Sequence, residues 1–471
     1  MTFSLPSAAI FVNRRLKSSE SWRFAVFSII TPSFVYILSS IYYAPMRVSN
    51  ILALGLVLFL GIFVHRFLFL LLLAFTMIVD GVLFSANYFQ MSPMMIVDSV
   101  HYLNKLDLFA SITYCAVFFF FLVSLIFTYR VTQRAKQNRK QLSLYPLFMV
   151  LFTYAGVDWT LNAPSHWELR TESFLSNPFD PVEDAATIRA NLKQQITSTT
   201  QPDVLIVIVE GLGTFKEGRK QEQIWGPLLD TDLKETYSVQ SGSTEYIGST
   251  SSAEARELCN RLADYRDFRD RGTVACLPRI ALASGYKTAA FHGFSGAFFE
   301  RFDWYPKVGF QELNFLENYS GLKHANELPK CGITFEGLCD ADVARAVNNF
   351  LHQEDSAPKF AYWLTLNSHK PVGSGEVPER LGCKNGGVFK DQELCRMAEQ
   401  WLNISHLVKG IALDPRLRST EVLLVGDHHP PLFTRHGRNQ FEAGKVAWLH
   451  LKPINDNKRQ IPATSPDRLS M

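Results

Sequence analysis

Residues 24 to 157 of this 471-residue chain are almost continuously apolar, whereas residues 158 to 471 have the mixed composition of a globular domain. A chain divided this way is expected to place its first part in hydrocarbon and its second in water. Candidate spans are Phe24 to Tyr43, Asn50 to Val64, Phe67 to Ala86, Leu106 to Thr128 and Gln141 to Val157. A helix needs roughly 20 apolar residues to cross, so the second and fifth are short enough to be re-entrant instead. Arg14, Arg15, Lys17 and Arg23 place the amino terminus in the cytoplasm, and Arg130, Arg134, Lys136, Arg139 and Lys140 place the loop after the fourth span there too. Five spans satisfy both constraints and put the globular part on the outer side. The first span reads as an uncleaved anchor.

Cysteine usage bears on the same topology. Six of the seven cysteines, Cys259, Cys276, Cys331, Cys339, Cys383 and Cys395, lie in the globular part, and Cys115 lies in a span. An even number outside suits disulfides. Adjacent pairing is the simplest of about fifteen connectivities, which sequence leaves open together with six reduced thiols. No C-x-x-C occurs, so zinc-ribbon spacing is absent. The formal charge of +3 gives no argument for a nucleic-acid partner.

The expected organisation is a transmembrane domain over 1–157, a linker over 158–201, a catalytic domain over 202–452 and a polar tail over 453–471. Ala185 to Ile196 reads as one short helix in the linker. Strand candidates are Asp203 to Val209, Lys287 to Phe291, Phe360 to Leu366, Val422 to Val425 and Val446 to Leu451, alternating with helical or loop segments. That alternation predicts an α/β domain with a mostly parallel sheet covered on both faces.

Two of these strands end in metal-capable groups. Asp203 to Val209 runs into Glu210, and Val422 to Gly426 runs into Asp427, His428 and His429. Open α/β sheets carry their chemistry at strand carboxyl ends, so both carboxylates are expected on one edge. An oxygen-rich set with one imidazole suits Mn²⁺, Mg²⁺ or Zn²⁺. Between them lies Gly248-Ser249-Thr250-Ser251-Ser252-Ala253-Glu254 before a helical pattern. Ser251 with Glu254 fits a capping box, a purely structural reading. Helix starts also stabilise anions, and Thr250 is placed to face a phosphate there.

The ordered set Val209-Glu210-Gly211-Leu212, Gly248 to Glu254, Phe291-His292-Gly293, Phe298-Phe299-Glu300-Arg301, Asn367-Ser368-His369 and Gly426-Asp427-His428 resembles lipoteichoic acid synthase and related membrane phosphoglycerol transferases of the alkaline phosphatase and sulfatase superfamily. The resemblance implies that Glu210, Thr250, Asp427 and His428 hold one divalent metal, Mn²⁺ first among the candidates, with Thr250 as the nucleophile. It implies that Arg301, Phe298, Phe299 and His369 contact the head group and phosphate, His369 being counted with the catalytic residues. A planar guanidinium clamps phosphate oxygens well, although a lone arginine more often makes a surface ion pair. His292 is a site candidate or a core residue, and His429 and His436 either support a second metal or shape the loop.

Lipoteichoic acid synthases of Gram-positive bacteria usually lack this cysteine set. A Gram-negative inner membrane with a periplasmic catalytic domain therefore fits better, the partners being a phospholipid donor and a glycan or lipopolysaccharide acceptor. The implied function is transfer of phosphoglycerol to a periplasmic or surface glycan through a phosphothreonine. Phosphoethanolamine transfer is the alternative, ahead of a sulfatase-like hydrolase or a non-catalytic module. The formylglycine motif of sulfatases is not matched, since Cys276-Leu277-Pro278-Arg279 has the wrong spacing.

Overall fold

The computed structural model describes residues 7–89, 91–105, 109, 112–162, 179–270, 275–319, 328–354, 356–385 and 387–454. They divide into two compact units, a helical one built from the apolar region and an α/β one built from the rest. Residues 163–178 of the expected linker and nearly all of the polar tail lie outside the described residues.

The helical unit contains α1 (Ser7–Tyr42), α2 (Val48–Gly61), α3 (Arg66–Phe89), α4 (Ile112–Gln137) and α5 (Tyr145–Asn162). Three helices are long and apolar enough to cross a membrane, namely Ser19–Tyr42, Arg66–Phe89 and Tyr114–Gln137. The expected second span is a 14-residue helix, too short for a straight crossing. Arg47 and Asp80 form a buried ion pair inside this unit. Arg47 donates through Nε to Asp80 Oδ1 at 3.0 Å and through Nη2 to Oδ2, while its backbone N–H meets Asp158 Oδ2 at 2.6 Å. Unpaired, each of these groups would be costly among apolar helices.

The α/β unit is organised by one eight-stranded sheet. Its strands are β1 (Asp203–Val209), β2 (Gly213–Phe215), β3 (Tyr237–Glu245), β4 (Lys287–His292), β5 (Glu312–Asn314), β6 (Lys359–Leu364), β7 (Thr420–Gly426) and β8 (Phe441–Pro453). They lie in the order β2-β8-β7-β1-β6-β4-β5, with β3 also pairing β8. The run β7-β1-β6-β4-β5 is parallel, and β8 joins it antiparallel. Every residue of β1, β6 and β7 is buried, as expected for strands covered on both faces. Leu205, Val207 and Val209 share a core with Trp363, Val422 and Leu424 and with residues of α7 (Asp340–Leu351) and α8 (Gln392–Ala412). The alternate residues Val204, Ile206 and Ile208 are buried on the opposite face.

Three sequence expectations need correction. The helix expected over Ala185 to Ile196 is two short helices, Ala186–Arg189 and Leu192–Ile196, separated where Asn191 takes a left-handed conformation at φ 54°. The strand expected to reach Leu366 stops at Leu364. The capping box does not form. Helix α6 (Thr250–Cys259) starts with Ser249 as its N-cap, and Glu254 instead accepts from buried Arg301, Tyr305 and Tyr362. A charged buried partner outcompetes a backbone N–H for that carboxylate.

The cysteines pair as neighbours, Cys259 with Cys276, Cys331 with Cys339 and Cys383 with Cys395, and Cys115 is exposed and takes part in none of these disulfides. Peptide mapping of the unreduced protein is expected to give these three cross-links, with Cys115 alkylated without prior reduction. Any crossed pair would contradict the arrangement.

Candidate metal centre and nucleophile

Strand register places the acidic residues before any side chain is considered. Gly426 pairs with Val209 across β7 and β1, so the next residues, Asp427 and Glu210, leave adjacent strands at the same level. Leu364 of β6 pairs with Ile208 on one side and with His292 on the other, bringing His292 and the Asn367-Ser368-His369 turn to the same edge. The close approach needs glycine. A Cβ on Gly426 would lie 1.8 Å from the Leu212 carbonyl oxygen, and Gly211 turns the chain at φ +71°.

Helix α6 brings the hydroxyl. Thr250 Oγ1 lies 3.0 Å from Asp427 Oδ2, 3.3 Å from Glu210 Oε2 and 3.4 Å from His428 Nε2. His428 Nε2 is itself 3.5 Å from Glu210 Oε1 and 3.3 Å from Asp427 Oδ2. One hydroxyl proton cannot satisfy two buried carboxylates, so this cluster holds more acceptors than donors. Burial, then the charge of Asp427, push the Glu210 pKa well above the usual carboxylate range. A divalent cation resolves both conflicts. Ligands arranged tetrahedrally with bonds of about 2.1 Å stand about 3.4 Å apart, which matches these separations. Among the described residues, Glu210, Asp427 and His428 are the one group of three with this disposition.

Each of these three residues is braced from behind. Glu210 donates its N–H to Thr365 Oγ1 at 3.0 Å, and its carbonyl accepts from Ser368 Oγ at 2.7 Å and Trp401 Nε1 at 2.9 Å. Asp427 Oδ1 accepts from the N–H groups of Gly211 and His428, both at 2.7 Å, which leaves Oδ2 facing Thr250. His428 Nδ1 meets the His429 carbonyl at 2.8 Å, so Nδ1 carries the proton and Nε2 is left to ligate. Asp340 accepts from the N–H groups of Leu366 and Asn367, and Asn367 Oδ1 accepts from Asp340 N at 2.6 Å, fixing the turn before His369.

A family model for sulfatases matches residues 202–455, more than half the chain. The chain belongs to the sulfatase family. Solved structures with similar folds include the lipoteichoic acid synthase LtaP from Listeria monocytogenes, at 15% identity and a TM-score of 0.41 over 57% of this chain and 72% of that one. Others are the Streptococcus pyogenes phosphoglycerol transferase GacH in complex with sn-glycerol-1-phosphate, at 17% and 0.39 over 58% and 78%, and the periplasmic domain of EptC from Escherichia coli in complex with Zn, at 13% and 0.38 over 54% and 74%. No curated protein sequence matches significantly.

Within this sulfatase-family site, the remaining candidates fall into distinct places. Cys276 is disulfide-bonded to Cys259 and so is no formylglycine precursor. His292 Nδ1 lies 3.0 Å from the Leu364 carbonyl, and burial, reinforced by Arg301, lowers its pKa well below the ordinary histidine value. His369 Nδ1 lies 2.9 Å from the Lys370 carbonyl, and burial lowers its pKa to about 4. Both rings are neutral at physiological pH. Phe298 and Phe299 pack together with centroids 4.3 Å apart, and Phe299 stacks on Tyr265. Arg301 is 2% exposed and directs Nε and Nη2 to the Glu254 carboxylate, each at 3.3 Å, and Nη1 to the Phe298 carbonyl. Burial opposes its charge, but Glu254 holds its pKa above the usual guanidinium value. His429 is buried between Tyr246 and Phe441 with Nε2 on the Lys445 carbonyl, and His436 is exposed on a short helix. Neither joins the acidic cluster.

Arg256 was not anticipated from sequence. From α6 it donates Nη2 to the Gly426 carbonyl at 2.9 Å and Nη1 to the Asp427 carbonyl at 3.3 Å, while Nε pairs with Glu257 at 2.7 Å. The helix that carries Thr250 is thereby tied to the strand that carries Asp427. A charged residue in an amphipathic helix ordinarily signals solvent, so no sequence cue marked it.

Replacing Glu210, Asp427 or His428 by alanine is expected to weaken metal binding by about a hundredfold or more, and Arg256→Met by about tenfold. Elemental analysis and calorimetric titration check both. Because Glu210 holds its proton to higher pH than a free carboxylate, acid competes with the metal, and affinity should fall as pH falls. Glu210→Gln should flatten that dependence.

Proposed function

We propose that this chain is a metal-dependent phosphotransferase that moves phosphoglycerol from a phospholipid to a periplasmic or surface glycan through a phosphothreonine at Thr250. The observation that supports it most directly is the position of Thr250 Oγ1, within 3.0–3.4 Å of Asp427, Glu210 and His428 and at the first residue of a ten-residue helix. Glu210, Asp427, His428 and Thr250 would hold the ion, with Mn²⁺ the first candidate and Mg²⁺ or Zn²⁺ alternatives. When bound, it lowers the pKa of the threonine hydroxyl and offsets phosphate charge.

Thr250 Oγ1 attacks the donor phosphorus, and the bond from phosphorus to the diacylglycerol oxygen breaks. The threonine proton, passing by way of Asp427 Oδ2, ends on that oxygen. An acceptor hydroxyl then attacks the phosphothreonine, the bond to Oγ1 breaks, and the acceptor proton returns to Thr250. The positive end of the α6 dipole stabilises the anion at Oγ1 throughout. Neutral His369 and His292, whose Nδ1–H groups are held by backbone carbonyls, offer Nε2 as an acceptor for a hydroxyl or ammonium of the head group, and Phe298 and Phe299 wall the pocket.

One observation favours phosphoethanolamine as a second reading. Glu254 neutralises Arg301, which removes the repulsion an unpaired guanidinium would exert on an ammonium. Purified enzyme given phosphatidylglycerol or phosphatidylethanolamine separates the two. Diacylglycerol release is expected from phosphatidylglycerol and is lost in Thr250→Ala, and release from phosphatidylethanolamine alone would select the second reading. Normal turnover by Thr250→Ala would sink both.

We place the α/β unit in the periplasm behind five membrane segments of a Gram-negative inner membrane, on the strength of the flanking positive charges and the paired cysteines. A reporter fused after Met471 is expected to be active only if it works in the periplasm. Activity of a cytoplasmic reporter would overturn this topology.

A further inference from the structure

The disulfide between Cys331 and Cys339 closes a small loop, with Lys330–Cys331 and Gly337–Leu338 pairing at its base. This loop is anchored to both turns that carry the site histidines. Leu338 N donates to the Gly293 carbonyl at 2.8 Å, next to His292. A Cβ on Gly337 would lie 2.4 Å from that same carbonyl oxygen, so the two backbones are in direct contact. On the other side, Asp340 follows Cys339 and holds the Leu366-Asn367 backbone before His369.

Phe335 sits within the closed loop. Its ring centroid is 3.9 Å from that of His369, 5.7 Å from Phe298 and 5.6 Å from Phe294. Phe294 and Phe298 are buried, whereas Phe335 is half-buried. His369 in turn lies within the electrostatic reach of His428 and Asp427. A half-buried aromatic ring held 3.9 Å from His369 offers a contact that inorganic phosphate cannot use. The carbon skeleton of a phosphate ester can.

We propose that Phe335 is a specificity-determining residue whose ring takes the two- or three-carbon alcohol esterified to the phosphate. This rests on the transferase reading of the site. The disulfide then serves to hold an aromatic contact in register with His369, with little entropy left to lose when the ester binds. Glycerol and ethanolamine esters share the required chemistry, a short carbon chain on phosphate.

The test uses the full-length, metal-loaded enzyme in detergent and titrates glycerol phosphate, ethanolamine phosphate and inorganic phosphate separately. Phe335→Ala should weaken the preferred ester about tenfold while leaving inorganic phosphate within about twofold. The ester that loses more identifies the head group. Phe335→Leu keeps apolar bulk without the ring, guards against a folding defect and should give an intermediate loss. Equal loss for all three ligands, no loss for either ester, or failure of the unsubstituted enzyme to bind any ester would each overturn the assignment. Phospholipid turnover is measured in parallel. Ester discrimination without diacylglycerol release would sink the transferase reading and leave the role of Phe335 standing.

Discussion

The α/β unit is arranged around an electrostatic conflict between Glu210 and Asp427. Two buried carboxylates meet at one sheet edge with a single hydroxyl between them, and burial together with mutual repulsion raises the pKa of Glu210. Left alone, such a pair destabilises the fold unless a proton or a cation is captured. The backbone around it shows what is needed to keep the conflict in place. Thr365, Ser368 and Trp401 grip Glu210 at its amide and carbonyl, and Gly211 and His428 grip Asp427. Contacts of this kind preorganise both carboxylates for a cation.

The helix that delivers Thr250 extends the same logic. All ten of its residues are buried, including Glu254, Arg256 and Glu257. Each charge is neutralised within the fold, Glu254 by Arg301 and Glu257 by Arg256. Breaking either pair would leave an uncompensated buried charge, which typically costs about 3–5 kcal/mol. These pairs therefore fix the helix laterally and axially, and Arg256 converts the fixation into a defined distance between Thr250 and Asp427. The helical unit uses the same device, with Arg47 and Asp80 neutralising each other among apolar helices.

The sulfatase framework accommodates its departures at the loops above the sheet. Cys276, near the only sequence resembling a formylglycine motif, is consumed in a disulfide, and a second disulfide shapes the loop that carries Phe335.

The sequence alone determined the division into an apolar helical region and an α/β region, because residues 24 to 157 are almost continuously apolar and hydrophobic periodicity is local. It also marked Glu210 and the pair Asp427-His428, since these follow the two strands directly and parallel strands share an edge. Tertiary structure decided what those rules do not reach. The fate of Glu254 depended on Arg301, 47 positions away in sequence, so a local capping pattern gave the wrong partner. Arg256 and Phe335 were invisible for the same reason. One looks like a solvated helix charge and the other like an ordinary loop aromatic until the strand ends and the disulfide bring Asp427 and His369 beside them. Residue type sets which chemistry is available, and only long-range packing sets which groups meet.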